Sequence, residues 1–344
     1  MAGDIEIKGL EAGQRERWDD FVLAHPEATF FHRAGWSEVI ERAFGHRMHF
    51  LYAEDAGRIV GVCPLGHVRS RLFGDALIST PFCVYGGVLA ESEAARVALT
   101  EGSVDLARRL GVDYLEMRNR VPREPSWRTK DLYVTFRKQI DPDAEKNLLA
   151  IPRKQRAMVR KGIAAGLSGE IDQEISRFYE GFAESVRNLG TPVLPRRYFR
   201  ILKEVFGGDC EILTVTRSGR LVASVMSFYF RDEVLPYYAG GTEAARACKG
   251  NDFMYWDLMR RAVGRGCRFF DYGRSKKGAG SYDFKKNWGF SPEPLYYECL
   301  PIRAREIPDV NPMNPKYRLL ISSWKRLPLP VSKFLGPMIA KYLA

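Results

Sequence analysis

At 344 residues and 45% hydrophobic content, the chain reads as an ordinary globular protein of about two domains. Its net charge of +11 points to anionic partners: nucleic acid, phosphorylated substrates or an anionic membrane surface. The six cysteines contain no CxxC pair, and the five histidines, all between residues 25 and 67, form no HExxH pattern, which excludes a zinc ribbon, a dense disulfide framework and a sequence-defined metal site.

The first residues, MAGDIEIKGLEAG, lack a basic start followed by an apolar run, so no signal peptide is expected. The longest apolar stretch, around Leu77–Ala90, is broken by Pro81, Tyr85, Gly86 and Gly87 and falls short of the ~20 residues that span a bilayer. A cytoplasmic protein is expected.

The chain then repeats itself once. Gly57-Arg58-Ile59-Val60 lies between the strand-like runs His49–Glu54 and Val60–Val68, and Gly219-Arg220-Leu221-Val222 lies between Glu211–Thr216 and Val222–Phe230. Arg69 and Arg231 end the two hairpins at the same offset. Each hairpin leads to a third strand, a glycine pair (Gly86-Gly87 or Gly240-Gly241), and a helical segment, 91–110 or 251–265. Each helix stops at a glycine, Gly111 or Gly266, and a strand follows, Tyr114–Met117 or Phe269–Tyr272. A period of roughly 155–162 residues means two domains rather than a solenoid. Strands with a helix packed on them predict an α/β (α+β) architecture, each domain a mixed sheet flanked by helices. The expected divisions are 1–150, 151–300 and 301–344.

Between the halves, IPRKQRAMVRKGIAAG (151–166) predicts a helix on which Arg153, Arg156 and Arg160 share a stripe, facing an anion or solvent. A second helix is expected over 172–188, then a loop at Pro192-Val193-Leu194-Pro195, then a helix over Arg196–Val205. Four prolines in 301–315 read as a linker. Residues 317–344 mix Leu, Ile, Trp and Phe with Lys325, Arg326, Lys333 and Lys341, a composition that suits a membrane interface or a terminal helix pair packed on the protein.

Residues 269–290 carry the most chemistry. Phe269, Phe270 and Tyr272 predict a half-buried strand. The loop that follows, Gly273-Arg274-Ser275-Lys276-Lys277-Gly278-Ala279-Gly280, joins glycines that let a ligand approach the backbone to cations that favour an anion. Arg274, Lys276 and Lys277, with Ser275 among them, are the candidate anion-binding residues. Candidates for the general base are a carboxylate or tyrosine (Asp271, Asp283, Tyr237 or Tyr238), the substrate itself, or water. Trp36, Tyr85 and the Gly86-Gly87 turn are candidates to line an acceptor cleft, with Tyr238 from the second half; Trp36 also reads as a core residue and Tyr238 as a packed strand aromatic.

FFHRAGWSEVIERAFGH (30–46), PRKQRAMVRKG (152–162), FDYGRSKKGAGSYDFKKNWGF (270–290) and the tail WKRLPLP (324–330) give the chain a resemblance. It resembles the FemAB-like family of tandem GNAT-type acyltransferase domains, closest to the members associated with exosortase/PEP-CTERM and exopolysaccharide systems. The resemblance implies an acceptor-side first domain, a donor-side second domain, and transfer of an acyl group to an amine. The acceptor would be a cell-envelope, peptidoglycan or exopolysaccharide precursor. FemABX peptidyltransferases take aminoacyl-tRNA as donor and related acyltransferases take acyl-CoA, so a co-substrate rather than a tightly bound cofactor is implied. The family's Phe-Lys pair falls on Phe284 and Lys285, and the lysine would stabilise the tetrahedral oxyanion. The pyrophosphate loop of CoA-binding GNAT enzymes would fall on Arg246-Ala247-Cys248-Lys249-Gly250-Asn251, with one glycine, which makes Gly250 and Asn251 donor-binding candidates. Leu89-Ala90-Glu91-Ser92-Glu93 in the first half has no such loop, so the second domain alone should hold the donor.

The expected partners are an anionic or lipid-linked precursor, aminoacyl-tRNA, and a membrane surface contacted peripherally through 317–344. No DNA is expected, and no RNP, KH or helix-turn-helix signature is present. The competing reading is a catalytically degenerate GNAT-like scaffold of an exopolysaccharide or protein-sorting system. The full GRSKKGAGSYDFKKNWG loop, of little use to a passive scaffold, favours the enzyme.

Overall fold

The computed structural model describes residues 5–70, 74–306 and 318–343. They form two compact units. The first runs to Tyr133, resumes at Pro294 and takes the last residues from Lys341; the second takes Val134–Glu293 and the tail up to Ala340. The divisions therefore fall at 133 and 293, not at 150 and 300. The reason lies in two strands that pair far from their sequence neighbours, described below. Of the expected linker at 301–315, everything beyond Glu306 lies outside the described residues.

The first unit contains β1 (Glu6–Gly9), α1 (Arg15–Ala24), α2 (Gly35–Phe44), β2 (Arg47–Asp55), β3 (Arg58–Ser70), β4 (Gly74–Ser79), β5 (Leu89–Ala90), α3 (Glu93–Leu110), β6 (Tyr114–Asn119) and β7 (Arg128–Lys130). Its last strand, β17 (Tyr296–Pro301), comes from the far end of the chain. The sheet order is β1-β2-β3-β4-β6-β17-β7, with β5 on β3. Helix α3 starts where the Ser92 hydroxyl accepts the Ala95 N–H and stops at Gly111 in the left-handed region, φ 63°. Its Leu99, Leu106 and Ala107 pack with Cys63, Leu65, Leu77 and Leu115 of the sheet.

The chain crosses at β8 (Tyr133–Thr135) and returns at β16 (Glu293–Pro294). The second unit contains β9 (Arg137–Gln139), α4 (Ala144–Ala150), α5 (Arg153–Ala164), β10 (Ser168–Asp172), α6 (Ser176–Leu189), α7 (Arg196–Phe206), β11 (Cys210–Arg217), β12 (Arg220–Phe230) and β13 (Glu233–Gly241). It continues with α8 (Glu243–Cys248), α9 (Gly250–Gly264), β14 (Phe269–Asp271), β15 (Ser275–Lys276), α10 (Gly280–Asn287), α11 (Arg318–Lys325) and α12 (Leu329–Ala340). The order β10-β11-β12-β13-β14-β9 matches that of the first unit, with β9 in the place of β17. The helix expected over 172–188 starts only at Ser176, because Ser168–Asp172 pairs in full register with Thr216–Ile212 of β11.

The repeat holds at the level of single residues. Both hairpin turns place two consecutive residues at positive φ, Ala56 and Gly57 at 48° and 77°, Ser218 and Gly219 at 49° and 75°. That is the turn whose twist suits a two-residue hairpin. Next to each turn one residue is squeezed out of the ladder, Val60 in β3 and Val222 in β12. The glycine pairs are not equivalent, however. Gly240 and Gly241 oppose Ser224 and Ala223, while Leu89 and Ala90 oppose the corresponding Val62 and Gly61. Gly86 and Gly87 lie in a loop before that register is reached. The local glycine spacing misaligned the halves, because only cross-strand pairing fixes the register.

A Cβ at position 87 would lie 1.8 Å from Oδ1 of Asn119, whose amide donates to Glu298 at 2.6 Å. Gly87→Ala is therefore expected to cost about 2–3 kcal/mol, a fall in Tm of roughly 5–10 °C. Gly264→Ala, where nothing lies within 4 Å, should leave Tm unchanged or raise it. Thermal unfolding of the two variants checks the pair.

Candidate active site

In the second unit, parallel β13 and β14 pair only at Glu233/Phe269 and Val234/Phe270. Beyond them β14 ends at Asp271 and β13 runs on to Gly241, so the strands part. Helix α9 joins the two strands, which brings its first residues to the same edge at which β14 ends. Ligands of α/β folds bind at that edge. On β13, Tyr238 opposes Met226 and Pro236 opposes Ser227, leaving Tyr237 as a bulge. Tyr237 and Tyr238 are half-buried, and the Tyr238 hydroxyl meets that of Tyr198 at 2.8 Å.

The end of β14 is held by a buried ammonium. Lys285, on α10, donates to the carbonyls of Tyr272, Gly273 and Arg274 at 2.8, 2.9 and 3.1 Å. Asp271, buried beside it, accepts the Gly273 N–H at 2.7 Å and the Thr135 hydroxyl at 3.3 Å. Burial pushes the Lys285 pKa down to about 7, against the pull of Asp271. A lysine at a helix position reads from sequence as a surface residue, yet this one is only 8% exposed. Phe284 packs against Tyr255, Tyr272 and Trp288 and fixes α10. Of the loop residues, Arg274 and Lys276 are half-buried and Lys277 is exposed. The hydroxyls of Ser275 and Tyr272 are buried without a hydrogen-bond partner. Asp283 stands exposed in the first turn of α10.

The basic helix is anchored beside this edge by contacts among residues far apart in the chain. Asp252, in the first turn of α9, accepts from Gln155 of α5 at 2.9 Å and from the Trp288 indole at 3.1 Å. Burial raises its pKa. Gly162 lets α5 lie directly on Phe253. Arg156 leaves the expected stripe and donates to the Leu149 carbonyl, but Arg153, Lys154, Arg160 and Lys161 remain exposed. Gly250 has a packing reason: a Cβ there would lie 2.4 Å from Val222. Asn251 is exposed, with its amide oxygen against Gly241.

In the first unit the equivalent parting is filled. Parallel β4 and β6 pair from Ala76/Tyr114 to Ile78/Glu116, and residues 80–87, all buried, then pack against the end of β6. Arg118 donates its N–H to the Ser79 hydroxyl and its guanidinium to the Cys83 carbonyl, both at 2.7 Å, and accepts the Gly86 N–H at 3.2 Å. The Tyr297 hydroxyl donates to the Val84 carbonyl at 2.7 Å. His32 bonds the Gly87 carbonyl at 3.1 Å, and burial holds its pKa down at about 4, so it is neutral. Trp36 and Tyr85, expected to line a cleft, are core residues instead. Trp36 is 0% and Tyr85 1% exposed, and both pack on Phe31. The start of α3 is acidic and already paired, Glu91 just before its N-cap to Arg58 and Glu93 in its first turn to Arg96. A phosphate would meet carboxylates there.

Residues 153–286 match the acetyltransferase (GNAT) domain family. The whole fold is similar to the crystal structure of FemX, with a TM-score of 0.67 and 14% identity over 85% of this chain and 97% of that one. It is also similar to a tandem GNAT protein from the clavulanic acid biosynthesis pathway, at 0.56 and 13% over 88% and 100%. A third is the C-terminal domain of a putative lysylphosphatidylglycerol synthetase from Agrobacterium fabrum, at 0.55 and 14% over 84% and 92%. No curated protein matches by sequence. The fold is a tandem GNAT-type acyltransferase fold. The α9 edge of the second unit lies inside the matched domain. Among the described residues, no group of His, Cys, Asp and Glu could hold a metal ion, and no helix is long and apolar enough to cross a membrane.

Because Lys285 has a native pKa near 7 against an ordinary 10.5, the unfolded chain binds a proton in that window that the native one sheds. Its contribution to stability therefore rises with pH between about 7 and 10.5. Urea unfolding of wild type and Lys285→Met across this range should show the wild-type advantage growing with pH. A flat difference would mean that the three carbonyls hold the charge throughout.

Proposed function

We propose that the chain is an N-acyltransferase whose second unit holds the acyl donor. The observation that carries this reading is the contrast between two equivalent strand partings: buried residues 80–87 pack against the end of β6 at the one beside α3, while at the one beside α9 strand β13 departs from its ladder only by the bulge at Tyr237. Arg274, Lys276 and Lys277, with the partnerless Ser275 hydroxyl, would hold the anionic part of the donor, and Lys249 and the exposed cations of α5 would extend that surface. The shared chemistry of the two candidate carriers, acyl-CoA and aminoacyl-tRNA, is phosphate. The acceptor would be an amine of a peptidoglycan, exopolysaccharide or other cell-envelope precursor. The amine attacks the acyl carbon, a C–N bond forms, and the C–O bond to the tRNA or the C–S bond to CoA breaks. The leaving oxygen or sulfur takes up the amine's proton.

Lys285 would meet the oxyanion of the intermediate by giving up its longest bond, to the Arg274 carbonyl. Its full engagement with three carbonyls is also what a scaffold would show, so the experiment must separate the two. Purified protein is given radiolabelled acetyl-CoA or aminoacyl-tRNA with UDP-linked and lipid-linked precursors. Transfer from one carrier is expected. Arg274→Ala should raise the donor KM about tenfold or more, and Glu93→Gln in the first unit should not. Folded Lys285→Met should lose about 10²–10³-fold in turnover. Near-normal turnover would reduce Lys285 to a structural clamp, and binding of neither carrier would favour the scaffold.

A further inference from the structure

Helix α12 carries its polarity inside out. Its buried stripe is Ser332, Gly336 and Ala340, spaced i, i+4, i+8. Gly336 lies so close to α6's following loop that a Cβ would stand 2.8 Å from the Val193 nitrogen. The opposite stripe, Val331, Phe334, Leu335 and Met338, is exposed, Phe334 to 68%. A helix of a globular protein normally turns such a stripe inward. This one cannot roll over, because the tail is fastened at several points: Arg187 donates to the Leu327 carbonyl at 3.0 Å, Lys333 pairs with Glu180, and Ile321 sits on Gly190. Helix α11 adds Leu319 and Leu320, exposed to 81% and 67%.

The tail itself carries charge of one sign, with Lys333 alone, among the described residues, paired to an acid of another element, Glu180. From Val310 to the end, the sequence holds Lys316, Arg318, Lys325, Arg326, Lys333 and Lys341 and no aspartate or glutamate. Lys325 and Arg326 are exposed at the end of α11. A second copy of the chain would bring like charges together on this face, whereas an anionic surface with an apolar interior satisfies both features. We propose that the exposed α11–α12 face docks on an anionic lipid bilayer, with Phe334 and Met338 entering the acyl boundary and Lys325 and Arg326 at the headgroups.

Sedimentation of the full-length protein with sucrose-loaded vesicles tests this. Strong binding is expected to phosphatidylcholine vesicles containing about a third phosphatidylglycerol, and weak binding to phosphatidylcholine alone. Partition should fall at least ~10-fold in Phe334→Ser/Met338→Ser and in Lys325→Glu/Arg326→Glu, and fall with added salt in the wild type. Both variants change exposed side chains, and circular dichroism with thermal melts confirms that they fold. Equal partition of wild type and variants overturns the proposal, as does failure to bind phosphatidylglycerol vesicles. So does light scattering showing a dimer that Phe334→Ser/Met338→Ser disperses, which would make the face a contact between copies.

Discussion

Two parallel strands joined by a helix part at their C-terminal ends, and the backbone groups exposed there must still find partners. The two units meet this constraint differently. In the second, two side chains do it: the Lys285 ammonium takes three successive carbonyls, and Asp271 takes the Gly273 N–H. In the first, the chain itself does it, with residues 80–87 laid against Arg118 and Asn119. Satisfying the strand end by side chains needs no inserted loop.

Filling the parting has electrostatic consequences. Arg118, 2% exposed, must keep its charge among buried groups, and Glu116 supplies the counter-charge at 2.9 Å. Burial works to raise the Glu116 carboxyl, but Lys130 and Arg118 beside it outweigh this and hold its pKa at about 2. Glu298 of β17 then accepts from Asn119 and from the Arg123 and Glu124 N–H groups. Removing one partner from such a set would strand a buried charge, which costs far more than the set contributes as a whole. The late strand β17 is thus bound to the first unit by chemistry as well as by its ladder, and the unit boundary could not sit where the sequence alone suggests.

What the sequence made legible was local. The hairpins, their Gly-Arg turns, the helices ended by Gly111 and Gly266 and the basic α5 all follow from signals within a few residues. What it hid was long-range: the pairing of Ser168–Asp172 with β11, and of β9 and β17 with strands more than a hundred positions away. The site shows the same split. The Gly273–Gly280 loop and Phe284–Lys285 were visible as a motif, but the burial of Lys285 was not, because its partners are backbone carbonyls that carry no residue signature. Asp252, Gln155 and Trp288 come together from three elements; Gln155 and Trp288 lie inside two of the quoted motifs, but no local signal links them to each other or to Asp252. Trp36 takes the core place its sequence also allows, and Tyr85 departs from the expected cleft because an aromatic beside glycines looks the same whether it lines a cleft or fills one.

The difference between the units traces to one point in the ladder. On β13 a single extra residue, Tyr237, separates the pairs Ser227/Pro236 and Met226/Tyr238. At the equivalent point of the first unit, the chain leaves the ladder after Ser79 opposite Leu65 and rejoins it at Leu89 opposite Val62. A bulge already releases one residue from its partner strand, so lengthening it there shifts no pairing on either side. The register of β3 with β4 and β5 therefore matches that of β12 with β13, although residues 80–88 stand in the first unit where the second has only Tyr237, Tyr238 and Ala239. The same position lies where the third strand begins to part from β6 or β14, so any residues added at it are delivered into the parting. A tolerated insertion and a filled parting are, in this fold, one geometric event.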